Sequence, residues 1–122
     1  MSNDGPGRSA ARIGQVLYPV PDVAAAVDFY TQAFGFATSF VDRRRYAALD
    51  AGGTTLALAA SEEDLTGGAP AAAVKVADVS GAVADVVKAG GRVLRAAETG
   101  PHESRAVVSD PWNNVLVVYG PQ

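Results

Sequence analysis

Few side chains in this 122-residue chain can make or break bonds, and their placement narrows the choice further. It has no cysteine and a single histidine, His102. Thiolate nucleophiles, disulfides and Cys-based zinc sites are therefore not available to it. His102 stands two residues before Ser104, a spacing at which strand neighbours can share a face. The orienting carboxylate and oxyanion donors of a nucleophilic triad are not evident around the pair, and the polar loop 100–104 reads as surface. Glu103 and Asp50 would become acid–base groups if burial raised their pKa. Asp50 reads instead as part of a turn with Gly52 and Gly53, while Glu103 stays open. The run Arg43-Arg44-Arg45 reads as a solvated hairpin turn rather than an anion clamp. No glycine pair precedes Lys-Ser or Lys-Thr, so a phosphate loop has no support. No residue is assigned a catalytic role, and no cofactor is expected.

The elements that must position these residues come in two copies. Val20, Asp22, Val23, Ala26, Val27, Ala33 and Gly35 recur 56 positions later as Val76, Asp78, Val79, Ala82, Val83, Ala89 and Gly91. Seven identities at one offset indicate a duplicated supersecondary unit. In the first copy, the β-branched run 13–20 predicts a strand, closed by Pro21. Asp22 then caps a helix whose buried face is Val23, Ala26, Val27, Tyr30 and Ala33, and Gly35 ends it. Strands follow at 36–41, 46–49 and 54–59. The second copy repeats the order: a strand at 71–76, a helix at 79–89 with Val79, Ala82, Val83 and Val86 inward, and strands at 92–96, 105–109 and 115–119. The fold class is α+β, with each half reading βαβββ.

Composition sets the outer limits. Nearly half the residues, 48%, are hydrophobic but only 7% are aromatic, so the core is built mainly of Val, Ala and Leu. A net charge of -3 and no basic stripe argue against nucleic acid. No apolar run approaches the ~18–20 residues of a membrane span. Residues 1–12 read as a flexible tail outside the fold. Residues 13–122 read as one domain, with a first module at 13–60, a linker at 61–70 and a second module at 71–120. The absence of cysteine fits a cytoplasmic protein.

Two segments carry a family resemblance. The run from Val20-Pro21-Asp22 through Phe29-Tyr30 to Phe34-Gly35-Phe36 resembles the first-module signature of the vicinal oxygen chelate superfamily. That superfamily includes glyoxalase I, extradiol dioxygenases, fosfomycin-resistance enzymes and bleomycin-resistance proteins. The run Ser109-Asp110-Pro111-Trp112-Asn113-Asn114 resembles its second-module turn, Asp-Pro-x-Gly-Asn. Asn113 replaces the glycine, and Asn tolerates left-handed backbone better than most residues. The resemblance spans 13–119 and implies curved mixed sheets around a cavity, helices outside, and a homodimer. It also implies four metal-ligand positions, which fall on Gln15, Ala57, Ala71 and Val117. Methyl and isopropyl groups donate no lone pair, and one neutral amide does not hold a divalent ion, so no metal residue is assigned.

Strand alternation sorts the remaining candidates. Gln15 and Leu17 share a face, as do Thr55, Ala57 and Ala59, and Val115, Val117 and Tyr119. Tyr46 and Ala48 face the same space if Leu49 packs under a helix. Trp112 either stacks on a flat ligand from its turn or serves in packing at the sheet end or in a dimer contact, and Phe36 reads as core. The expected ligand-binding residues are Gln15, Leu17, Phe40, Tyr46, Ala57, His102, Trp112, Val117 and Tyr119. The expected function is metal-independent binding that sequesters a hydrophobic or aromatic small molecule, such as an antibiotic or cytotoxic natural product. Two enzyme alternatives remain open: a metal site relocated to Gln15, His102 and Glu103, or metal-free catalysis with Glu103 or His102 as base. A pure interaction module is the third.

Overall fold

The structure, a computed structural model, describes residues 11–122. The expected tail lies outside the described residues up to residue 10, and its last member, Arg12, opens a strand. The elements are β1 (Arg12–Pro19), α1 (Val23–Phe34), β2 (Ala37–Asp42), β3 (Tyr46–Asp50), β4 (Thr55–Ala59), β5 (Ala71–Lys75), α2 (Val79–Lys88), β6 (Arg92–Thr99), β7 (Ser104–Ser109) and β8 (Val115–Gly120). The chain is therefore α+β and reads βαβββ twice. Its contacts divide it into two units. The first is Gln15–Ala71, and the second joins Ala72–Gln122 to residues 11–14.

Each unit repeats one topology. The first has strand order β2-β3-β4-β1, antiparallel except for the parallel pair of β4 and β1. The second has β5-β8-β7-β6, with β5 and β8 parallel and the rest antiparallel. A parallel pair needs a long crossover, which the intervening helix and hairpin supply in both units.

The helix starts repeat atom for atom. Asp22 Oδ1 accepts from the Ala25 N–H at 3.0 Å, and Asp78 Oδ1 accepts from the Gly81 N–H at 3.1 Å. Both caps are extended, and the first helical residues, Val23 and Val79, are both buried. The helix ends diverge. Gly35 takes the left-handed conformation (φ 73°) after α1, but after α2 that role shifts from its repeat partner Gly91 to Gly90 (φ 105°). Gly91 serves a different need, because a Cβ there would stand 2.5 Å from the Ser109 carbonyl oxygen.

Each helix buries its apolar stripe on its own unit's sheet. In the first unit Ala26, Val27 and Tyr30 pack on Leu49, Leu56 and Leu58. In the second, Ala82, Val83 and Val86 pack on Ala106, Val108 and Val118. Ala33, expected on the buried face, is exposed instead. Beside it the rings of Tyr30, Phe34 and Phe36 stack on one another at centroid distances of 5.5–6.4 Å, with Tyr30 and Phe36 packed on the core and Phe34 exposed. β6 also runs beyond its expected end at residue 96. Every residue in it is exposed and its pairing with β7 shifts twice, so its sequence carries no alternation to read. Among the described residues, no helix is long and apolar enough to cross a membrane.

Candidate functional site

In the first unit α1 covers Ala47 and Leu49 of β3 and Leu56 and Leu58 of β4. Alternation therefore turns Tyr46, Ala48, Thr55 and Ala57 to the other face, joined there by Gln15 and Leu17 of β1. Leu17, Ala57 and Ala48 line up across three neighbouring strands, and Phe40 of β2 follows beside Ala48. The floor is small and dry, since Leu17 and Ala57 are buried. Polar atoms meet at one point: the Tyr46 hydroxyl lies 3.5 Å from Gln15 Oε1, the long limit of a hydrogen bond. The Phe40 ring stands 6.3 Å from that of Tyr46 and is 55% exposed. Five of the expected ligand-binding residues, Gln15, Leu17, Phe40, Tyr46 and Ala57, thus share one face.

In the second unit Leu116 and Val118 pack with α2, so Val115, Val117 and Tyr119 face away. Val117 is flanked in register by Ala73 and Val107, and all three are buried. Tyr119 is flanked by Lys75 and Arg105. Its phenol runs to β1, where the Tyr119 oxygen fills the place a Cβ would take on Gly14. Burial pushes the Tyr119 phenol above its ordinary pKa. The Arg12 charge opposes the shift and the Glu103 carboxylate adds to it.

His102 and Trp112 lie elsewhere on this unit. His102 is exposed on the turn between β6 and β7, closed by the Gly100 N–H donating to the Glu103 carbonyl at 2.7 Å. The Ser104 hydroxyl lies 3.4 Å from Thr99 Oγ1. Trp112, 78% exposed, sits on the turn from β7 to β8, at the opposite end of that hairpin from His102. The backbone of this turn is tightly held. The Asp110 carboxylate accepts from the Trp112 N–H at 2.9 Å, the Asn114 N–H at 2.9 Å and Asn114 Nδ2 at 2.8 Å. The Asn114 side chain, then its backbone N–H, hold the Asp110 carboxyl below the usual carboxylate range. Asn113 is left-handed (φ 71°), and its side-chain oxygen accepts from Arg92 Nη2 at 2.7 Å. Asp50 behaves as the turn residue expected, accepting from the Gly52 N–H at 3.0 Å.

Sequence reasoning passed over three residues on these faces. Lys75 and Arg105 flank Tyr119, and extending the strand alternation to the neighbouring strands would have found them. Ser109, in register with Val115, is buried with its hydroxyl unpaired. Only packing reveals that. Among the described residues, no three His, Cys, Asp or Glu side chains converge to hold a metal ion. Of the four positions where the family resemblance implies ligands, Gln15 alone carries a donor atom, and this donor set does not fit a divalent ion.

The architecture and the match to known proteins agree. The profile of the Glyoxalase/Bleomycin resistance protein/Dioxygenase superfamily matches residues 12–118. The chain belongs to this superfamily. An uncharacterized protein of Mycolicibacterium smegmatis (strain ATCC 700084 / mc(2)155) is 34% identical over 109 residues, covering 89% of this chain and 93% of its own. Two solved structures share the superfamily fold. The NAD-dependent benzaldehyde dehydrogenase structure from Legionella pneumophila is 18% identical, with a TM-score of 0.73 over 88% of this chain and 98% of its own. Methylmalonyl-CoA epimerase from Mycobacterium tuberculosis is 18% identical, with a TM-score of 0.66 over 88% of this chain and 86% of its own. At these identities the likeness speaks to fold alone, since one fold hosts many chemistries.

Proposed function

We propose that the protein binds and sequesters a hydrophobic or aromatic small molecule without a metal ion, as a cytoplasmic homodimer. An antibiotic or other cytotoxic natural product fits that role. The observation that carries this reading is the face made by Gln15, Leu17, Phe40, Tyr46 and Ala57. Superfamily metal positions there present a methyl group and one amide, so the surface is an apolar floor with aromatic rings beside it. Such a surface holds a flat molecule by burial and stacking and offers one polar contact to orient it. Protection by sequestration works by lowering the free ligand concentration, so it requires tight binding and near-stoichiometric protein.

Calorimetric titration of the purified protein tests the reading. Nickel, zinc, manganese and ferrous iron are expected to give no stoichiometric heat, whereas a panel of aromatic antibiotics yields at least one tight binder. Stacking contributes about 0.5–1.5 kcal/mol per ring beyond burial, so Tyr46→Ala and Phe40→Ala should each weaken that binder several-fold or more. Unchanged affinity in both variants removes the site from this face. A chemically altered ligand recovered after incubation makes the protein an enzyme, with Glu103 and His102 as the first residues to test. Stoichiometric metal of sub-micromolar affinity would refute the proposal outright.

A further inference from the structure

The sheet of the second unit carries a cavity of about 450 Å3 on the side that faces α2. That volume falls within the ~300–1,000 Å3 of small-molecule sites. Strand register and the internal repeat together match its walls, residue by residue, to packed positions of the first unit. Val74 stands 56 residues after Tyr18, and Val86 stands 56 after Tyr30. Tyr18 pairs with Leu58 as Val74 pairs with Val118. Leu49 pairs with Leu56 as Val108 pairs with Leu116. Leu56 and Leu116 are themselves equivalent, since they pair with Val16 and with Ala72, its repeat partner.

At these four places the first unit has two tyrosines and two leucines. The second has four valines, and all four line the cavity. In the first unit the larger side chains touch: Tyr30 packs on the fully buried Leu49 and Leu58, and the rings of Tyr18 and Tyr30 meet at a centroid distance of 6.4 Å. The strand pairings are the same in both units, so the smaller side chains of the second leave space between β5 and α2. Among the described residues, Asp78 and Asp85 are the polar side chains of the lining, and both are engaged. Asp78 caps the Gly81 N–H at 3.1 Å, and Asp85 has a partner of its own. Neither is available to select a charged head group. The other lining side chains are all apolar.

We infer that this cavity is a second binding site, separate from the sheet faces that turn away from the helices, and that it takes neutral aromatic molecules of one or two rings. The guest occupies the places that the Tyr18 and Tyr30 rings hold in the first unit. Its affinity comes from burial of the ring against Val74, Val86, Val108 and Val118, and its selection from shape and neutrality. An anionic analogue would have to shed water from its charge in an apolar slot beside the Asp78 carboxylate.

Titration of the 15N-labelled full chain with indole, benzene and benzoate tests the inference by amide chemical shifts. Indole should move the amides of Val74, Ala82, Val108 and Val118. It should bind about fivefold tighter than benzene, because the second ring buries on the order of 40 Å2 more apolar surface. Benzoate should be the weakest of the three. The double variant Val74→Tyr, Val86→Tyr installs the residue types of the first unit and should abolish binding of both neutral probes by filling the slot. If that variant fails to fold, Val86→Leu serves instead, and its added methylene should weaken indole more than benzene. Full affinity for indole in a folded, filled variant would overturn the site, as would benzoate binding as tightly as benzene. Shifts confined to the face of Gln15 and Tyr46 would also overturn it while leaving the proposed function standing. So would lining amides that move with protein concentration rather than with indole, because the slot would then be a contact between copies of the chain.

Discussion

Gly14→Ala places a methyl group where the Tyr119 oxygen now sits, with the ring carbon Cζ only 3.1 Å away. Gly14 has no left-handed backbone to protect, so the substitution acts through that one contact. The ring must tilt or the strand must shift, and overpacking of this kind costs about 1–3 kcal/mol. The cost should vanish once the oxygen is gone. In a Tyr119→Phe background the nearest atom is Cζ, which a movement of a few tenths of an ångström relieves. Alanine also restricts the unfolded chain more than glycine does, worth about 0.4–1 kcal/mol in favour of folding. Gly14→Ala is therefore destabilising in the wild type and neutral or mildly stabilising in the Tyr119→Phe background, giving a coupling of at least about 1 kcal/mol. Urea unfolding followed by far-UV circular dichroism reads all four corners of the cycle. With m-values of about 1–3 kcal/mol/M, the single variant should lose on the order of 1 M in midpoint. A cost that is the same in both backgrounds would show that the phenol does not occupy the space above Gly14, and with it would go the account of why a glycine stands in this strand.

Two further predictions concern stability. Because its pKa is raised in the folded protein, Tyr119 favours the fold fully below the ordinary tyrosine pKa and loses that contribution as pH climbs through the raised value. Phenolate absorbance should show one late-titrating tyrosine that Tyr119→Phe removes, and a Tyr119 titrating with the exposed phenols would count against its burial. Leu58 is fully buried beneath α1, so Leu58→Ala should cost about 2.7–5 kcal/mol in chemical unfolding, whereas Phe34→Ala, on a ring 64% exposed, should cost clearly less. Similar losses at the two positions would contradict the packing described for α1.

Much of the fold was legible because its signals are local. The Asp22 and Asp78 caps, Gly35, the α2 stripe of Val79, Ala82, Val83 and Val86, and the turn role of Asp50 all depend on residues a few positions apart. The left-handed conformation expected of Asn113 is of the same kind. The failures came where longer contacts intervened. Ala33 fitted the helical spacing, yet it is exposed, and the α1 residues packed on the leucines of the sheet are Ala26, Val27 and Tyr30. β6 was cut short because an exposed edge strand with two register shifts does not alternate.

For the candidate site, the sequence by itself determined which side chains each strand turns away from its helix. Period-two geometry decides this once one residue of the strand, such as Leu49 or Leu116, is known to pack against the helix. It also determined that Gln15 is the sole donor at the implied metal positions, which is chemistry rather than geometry. Tertiary structure alone decided how those faces are furnished. The closeness of Tyr46 to Gln15, 31 residues apart, depends on how the strands pair, as does the flanking of Tyr119 by Lys75 and Arg105. The placing of His102 and Trp112 at opposite ends of one hairpin depends on that same pairing. The space of about 450 Å3 beside α2 belongs to the same class. The repeat shows that Val86 stands where the first unit has Tyr30, but only packing brings Val74, Leu116 and Val118 around it. A sequence specifies neighbours along the chain, whereas space left unfilled is a property of every residue around it at once.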